Sequence, residues 1–211
     1  MSAADRGRPD RYQPEPDDPA RPRLFFAVPV PDPARRLVGE VMDRVQSSVG
    51  DGRAKIRWVR VEGLHLTLRF LGPTPRTRLD GLVTTLDRLA AATARFPVVI
   101  SQAGAFPNPS RPRTLWLGIE AGADRLAALA EGLEREVTVD GQPLGTKPFA
   151  PHLTIARTDG LWAAAAAAAA LREAAADLEA RFVADRVVLF ESHLGHGPAR
   201  YEALHEAALG G

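Results

Sequence analysis

His65-Leu66-Thr67-Leu68 and His152-Leu153-Thr154-Ile155 each set a proton-transfer group and a hydroxyl donor two residues apart, and the two copies lie 87 positions from each other. On a β-strand this spacing sends both polar side chains out of one face and Leu66 or Leu153 out of the other. Each copy is therefore half of a site. Two imidazoles facing one cleft suit acid–base chemistry in which one ring takes a proton from the attacking group and the other gives one to the leaving group. A histidine pKa near neutrality allows opposite protonation states at one pH, and the titrations then belong to the pair. The two threonine hydroxyls can donate to an anion that gains charge at the transition state, which describes a phosphoryl centre better than a neutral carbonyl. A cyclic phosphodiester needs both functions at once, a base for water and an acid for the expelled ribose oxygen. Spacing alone leaves open which histidine plays which part.

Composition narrows the alternatives. The chain has no cysteine, which excludes thiolate nucleophiles, disulfides and Cys-ligated zinc. Its net charge of +1 gives no whole-molecule field for nucleic acid, although Arg53, Lys55, Arg57 and Arg60 could line a local RNA path. No apolar run is long enough to span a bilayer and no apolar leader opens the chain, so a cytoplasmic protein without membrane contact is expected, as a monomer.

The elements that must position the motifs follow from hydrophobic period. Residues 1–22 are rich in proline and charge and poor in apolar side chains, which reads as a disordered tail ahead of a single domain over 23–211. Leu24 to Val28 reads as a buried strand, and Asp32-Pro33 opens a helix with Leu37, Val38, Val41, Met42 and Val45 on one face. A short strand over Ile56–Val61 precedes the first motif strand. Along that strand alternation groups His65, Thr67 and Arg69 on one face and Leu64, Leu66, Leu68 and Phe70 on the other. A helix with Leu79, Leu82, Val83, Leu86 and Leu89 follows, then a strand over Pro97–Ser101. Ala103 to Arg113, with three prolines, reads as a loop.

Leu115 to Ile119 then repeats the opening strand, and Leu126, Leu129, Leu133 and Val137 mark a third helix. After a Gly/Pro-rich loop over 140–148 comes the second motif strand, a long alanine-rich helix from Leu161 to about Ala180, and strands at Val187–Phe190 and Tyr201–Glu206. Each half thus reads strand, helix, His/Thr strand, helix, strand. Two such lobes related by a pseudo-twofold axis would bring the motif strands together across a cleft.

Paired His-x-Thr-x motifs with apolar x are the signature of the 2H phosphoesterase superfamily. The setting extends the resemblance over residues 23 to 206: Arg23-Leu24-Phe25-Phe26-Ala27-Val28, the run of the first motif into Phe70-Leu71-Gly72, Leu115-Trp116-Leu117-Gly118, Pro151-His152-Leu153-Thr154-Ile155-Ala156-Arg157, and late Ser192 and Tyr201. Together these resemble the RNA 2',3'-cyclic phosphodiesterases historically called 2'-5' RNA ligases. The resemblance implies an α+β, bilobal fold with antiparallel sheets lining a central cleft and helices outside. It implies metal-independent hydrolysis of RNA 2',3'-cyclic phosphate ends to 2'-phosphomonoesters, with reversible 2'-5' ligation as a side reaction and no cofactor. By the same resemblance His65 is the proton donor, His152 the proton acceptor, and Thr67, Thr154 and Arg157 hold the phosphate.

Arg157 is out of phase with His152 under strict alternation, so its participation requires a bulge or twist, and Arg69 is the cation in phase with its histidine. Phe26 and Phe149 are candidates for stacking a nucleobase, against the commoner fate of packing in the core, which is also the reading for Trp58 and Trp116. His193 and His196 are three apart but sit in a turn sequence without an obvious third ligand, so no metal site is expected. The rival functions are a sibling activity on 2'-5' oligonucleotides or small cyclic nucleotides, and a non-catalytic RNA-binding module. Phosphate binding alone needs no opposed acid and base, so retention of both histidines favours an enzyme.

Overall fold

A computed structural model describes residues 18–49, 56–137, 149–158, 163–194 and 198–210. The tail over 1–17, the cations Arg53 and Lys55, the loop over 140–148, the start of the alanine-rich helix and His196 lie outside the described residues. Residues 18–22 are held against the domain, where the backbone of Arg76 donates to Ala20 O and that of Thr74 to Pro22 O.

In chain order the elements are β1 (Arg23–Pro29), α1 (Asp32–Val49), β2 (Arg57–Trp58), β3 (His65–Pro73), α2 (Leu79–Ala91), β4 (Phe96–Phe106), β5 (Thr114–Ala121), α3 (Ala123–Glu136), β6 (His152–Arg157), α4 (Ala163–Ala174), β7 (Ala180–Ala184), β8 (Arg186–His193) and β9 (Arg200–Ala208). They form two antiparallel sheets, β3-β1-β8-β9 and β2-β6-β5-β4-β7. This is the α+β arrangement expected, with motif strand β3 at the edge of the first sheet and β6 one in from the edge of the second. The two motif strands lie against each other where the sheets meet.

Three differences from the sequence pattern have local causes. The alanine-rich helix stops at Ala174, and Ala180–Ala184 becomes an edge strand along Phe96–Ile100, because ladder pairing outweighs the helix preference of Ala, a few tenths of a kcal/mol per residue. Ala103–Phe106 continues β4 rather than opening the loop; Gln102, with φ 58°, is the unpaired residue of a bulge that resets register. Finally, the sheets do not coincide with the halves of the sequence. The strand that ends the first half, β4, belongs to the second sheet, whereas β8 and β9 complete the first.

The helices are exchanged in the same way. Helix α1 leaves the first sheet and packs with α4 against β7 and β4 of the second, while α3 leaves the second sheet and packs with α2 against the first, where it meets β3. The covered faces merge into one apolar cluster that runs from Leu24, Phe26 and Leu66 through Leu117, Leu153 and Ile155 to Leu171. Phe26 is 0% exposed in that cluster, so it has no face for a nucleobase, and its truncation would cost about 3–5 kcal/mol. Phe149 packs against the same cluster.

Candidate active site

The two motif strands share one burial sequence. From His65 to Phe70 and from His152 to Arg157 the order is half-buried, buried, half-buried, buried, buried, exposed. Regular alternation would give six alternating states, so each of these six-residue runs contains one extra residue. Register locates it. Thr67 pairs with Ala27 and Arg69 with Phe26, which leaves Leu68 unmatched; Thr154 pairs with Trp116 and Ala156 with Leu115, which leaves Ile155 unmatched. Each bulge reverses the facing of the residues beyond it. Arg157 therefore returns to the face of His152 and Thr154, as its participation demanded.

The same bulge sends Arg69 to the opposite face, which corrects its in-phase placement beside His65. Its side chain is 8% exposed, ion-paired to Glu134 at 2.8 Å, and donates to Leu133 O at 2.6 Å. The position equivalent to Arg157 in the first copy is Phe70, which stands 56% exposed instead of in the core. The signal was in the sequence: both lie five residues after their histidine.

Each imidazole is fixed by the chain just before it. His65 Nδ1 lies 2.7 Å from Gly63 O and His152 Nδ1 2.7 Å from Ala150 O. A carbonyl can only accept, so each Nδ1 carries the proton and donates it, and each Nε2 is left for chemistry. Aromatic rings complete the mounting. Phe25 and Tyr201 stand 4.8 Å from the His65 ring, Tyr201 edge-on, and Phe106 stands edge-on 5.2 Å from the His152 ring with Trp116 behind it. Ser192 pairs with Tyr201 across β8 and β9. Trp116, read from sequence as a packing residue, pairs with Thr154 and lies flat over Gly104, where a Cβ would fall 2.2 Å from the indole.

Packing among these rings desolvates His65 and lowers its pKa below 6.5; the hydrogen bond to Gly63 opposes this, and the positive charge of Arg157 lowers it further. Arg157 also acts on Tyr201, whose hydroxyl pKa burial raises and that charge partly restores. A cation on β6 is thus felt by two residues of the opposite sheet.

Residues 30–196 match the model of the 2'-5' RNA ligase superfamily. The chain belongs to that superfamily. Among 2'-5' RNA ligase superfamily relatives, it is 32% identical over 123 residues to the RNA 2',3'-cyclic phosphodiesterase of Aquifex aeolicus, a match covering 58% of this chain and 65% of that one, just under two thirds of its length. It is 36% identical over 146 residues to the protein of that name from Thermus thermophilus, covering 64% and 68%. A solved structure from Thermus thermophilus superposes with a TM-score of 0.66 at 28% identity, covering 90% of this chain and 98% of that one.

Two other histidines of this superfamily member lie elsewhere. His193 ends β8 with its Nε2 3.2 Å from Glu202 and its Nδ1 3.8 Å from Glu191, and His205 on β9 meets Asp87 of α2 at 2.6 Å. Among the described residues no three side chains are gathered as metal ligands.

Proposed function

We propose that the protein hydrolyses 2',3'-cyclic phosphate ends of RNA to 2'-phosphomonoesters through its two histidines without a metal ion, and that it can run the related 2'-5' joining reaction when an RNA 5'-hydroxyl replaces water. The relatives named for this activity support the substrate class. The observation that carries the chemistry is the repeated mounting: two Nδ1-anchored imidazoles begin strands that meet, each with a threonine on its face, and a bulge returns Arg157 to the face of His152.

His152 Nε2 takes a proton from water as the oxygen attacks phosphorus, the bond from phosphorus to the ribose 3' oxygen breaks, and His65 Nε2 delivers a proton to that oxygen. Thr67, Thr154 and Arg157 hold the non-bridging oxygens and meet the charge that builds on them, the work a metal ion would otherwise do. Before substrate binds, His65 favours its neutral form. Burial more than the arginine charge disfavours its protonated form, and an anionic phosphodiester bound beside the ring favours that form, so substrate binding itself promotes the protonated donor. Phe70, exposed at the cleft position that matches Arg157, offers its ring to the terminal nucleobase.

The test is turnover of an oligoribonucleotide ending in a 2',3'-cyclic phosphate, with EDTA present. His65→Ala and His152→Ala should each lose about three or more orders of magnitude while binding changes little. Near-normal turnover in either variant would remove that residue from the mechanism; binding without turnover in the unaltered protein would favour an RNA-binding module; loss with EDTA would refute the metal-free reading.

A further inference from the structure

Helix α3 runs from the second sheet to the first. At its start Gly122, with φ 85°, lies so close to β4 that a Cβ there would fall 2.5 Å from Pro97 O, which ties this end to the second sheet. At its end the helix meets β3 of the first sheet, and Arg69 supplies the polar part of that contact. The guanidinium donates to Leu133 O and Val137 O and forms an ion pair with Glu134 through Nε.

The carbonyl end of a helix carries partial negative charge, so a buried cation there is well matched, and Arg69 adds a second donor to Leu133 O, which already accepts from the backbone N–H of Val137. Arg69 occupies this position only because the Leu68 bulge turns it away from the cleft while His65 and Thr67 remain inside. Its counterpart in the second copy is Ala156, so the tie exists on one side of the pseudosymmetric pair. In sequence, the residue after its last carbonyl partner, Val137, begins the eleven-residue stretch that leads to Phe149 and then to His152.

We infer that Arg69 is a positioning residue of the active site, whose guanidinium fastens α3 to the strand carrying His65 and so holds the two histidine-bearing walls at their working separation. This rests on the cyclic phosphodiesterase reading above. Lysine cannot replace it, because one ammonium cannot serve two carbonyls and a carboxylate in the planar fork that the site uses. A displacement of about 1 Å between groups that must act on one phosphorus costs about 100-fold in rate, whereas phosphate contacts made from either wall tolerate it better.

The experiment compares Arg69→Lys, Arg69→Met and Glu134→Gln with the unaltered chain on the same cyclic-phosphate RNA, at a temperature where circular dichroism shows each variant folded. Expected are a fall in kcat of about 10- to 100-fold for Arg69→Lys, a smaller fall in the same direction for Glu134→Gln, and KM within about threefold throughout. If Arg69→Met does not fold, the other two variants carry the comparison. A lowered melting temperature with kcat within about twofold for Arg69→Lys and Glu134→Gln overturns the inference, as does a KM that rises as far as kcat falls. If the unaltered chain shows no turnover, the functional reading fails instead.

Discussion

Gly104→Ala tests whether the second wall of the cleft is built as tightly as it looks. A Cβ at residue 104 would lie 2.2, 2.4 and 2.7 Å from three atoms of the Trp116 ring, against about 3.4 Å for ordinary contact, so the indole must withdraw by about 1.2 Å. It has little room to do so. Phe106 lies tilted against it at 5.1 Å with its ring also against His152, and the backbone of Trp116 is paired to that of Thr154. Overpacking of this kind costs about 1–3 kcal/mol of stability, and a shift of about 1 Å passed on to His152 or Thr154 costs about 100-fold in turnover. Steady-state kinetics on a cyclic-phosphate RNA well below the melting temperature, with thermal unfolding measured in parallel, reads both. Adding Trp116→Phe, which removes the ring atoms in conflict, should recover part of each loss. A Gly104→Ala protein with normal melting temperature and kcat within about twofold would refute the reasoning.

Further expectations concern charge. His65 has a folded pKa below its unfolded value of 6.5, so as pH falls through 6.5 the unfolded chain takes up a proton first and stability declines until the folded pKa is reached; above 6.5 the contribution is complete. Thermal unfolding of the unaltered protein minus that of His65→Asn should show this slope on the acid side of 6.5, and a flat difference would contradict it. Arg157→Met should lower kcat/KM by about 100- to 1000-fold and raise the His65 pKa, read by NMR titration of the imidazole. An unchanged His65 titration would place the arginine charge elsewhere.

The sequence disclosed the reacting groups more readily than their surroundings. His65, Thr67, His152 and Thr154 were legible because a spacing of two means one face of any extended strand. The fate of Arg69 and Phe70 was not, because alternation assumes a regular ladder, and the unmatched Leu68 looks like any other apolar strand residue. The bulge that Arg157 required was nonetheless a usable signal, and applying it to the first copy would have moved Phe70 into the cleft. The sequence pattern carries the alanine-rich helix on to about Ala180 and misses strand β7 for a different reason. Ala, Arg, Phe and Val at 180–184 have no local preference strong enough to announce a strand, and only the free edge of β4 makes one.

The exchange of helices and strands between the two sheets bears on how the chain reaches its native state. Phe25 is laddered to Phe190, so the first-made strand waits for a partner 165 residues downstream, and neither α1 nor α3 packs chiefly on the sheet from which it departs. Synthesis from the ribosome leaves the amino-terminal half with an unsatisfied sheet edge until nearly all the chain has emerged, a topology that favours slow, concerted maturation. Cutting the polypeptide in the 107–113 turn should accordingly produce two fragments that are each insoluble or unstructured alone and regain order only when mixed.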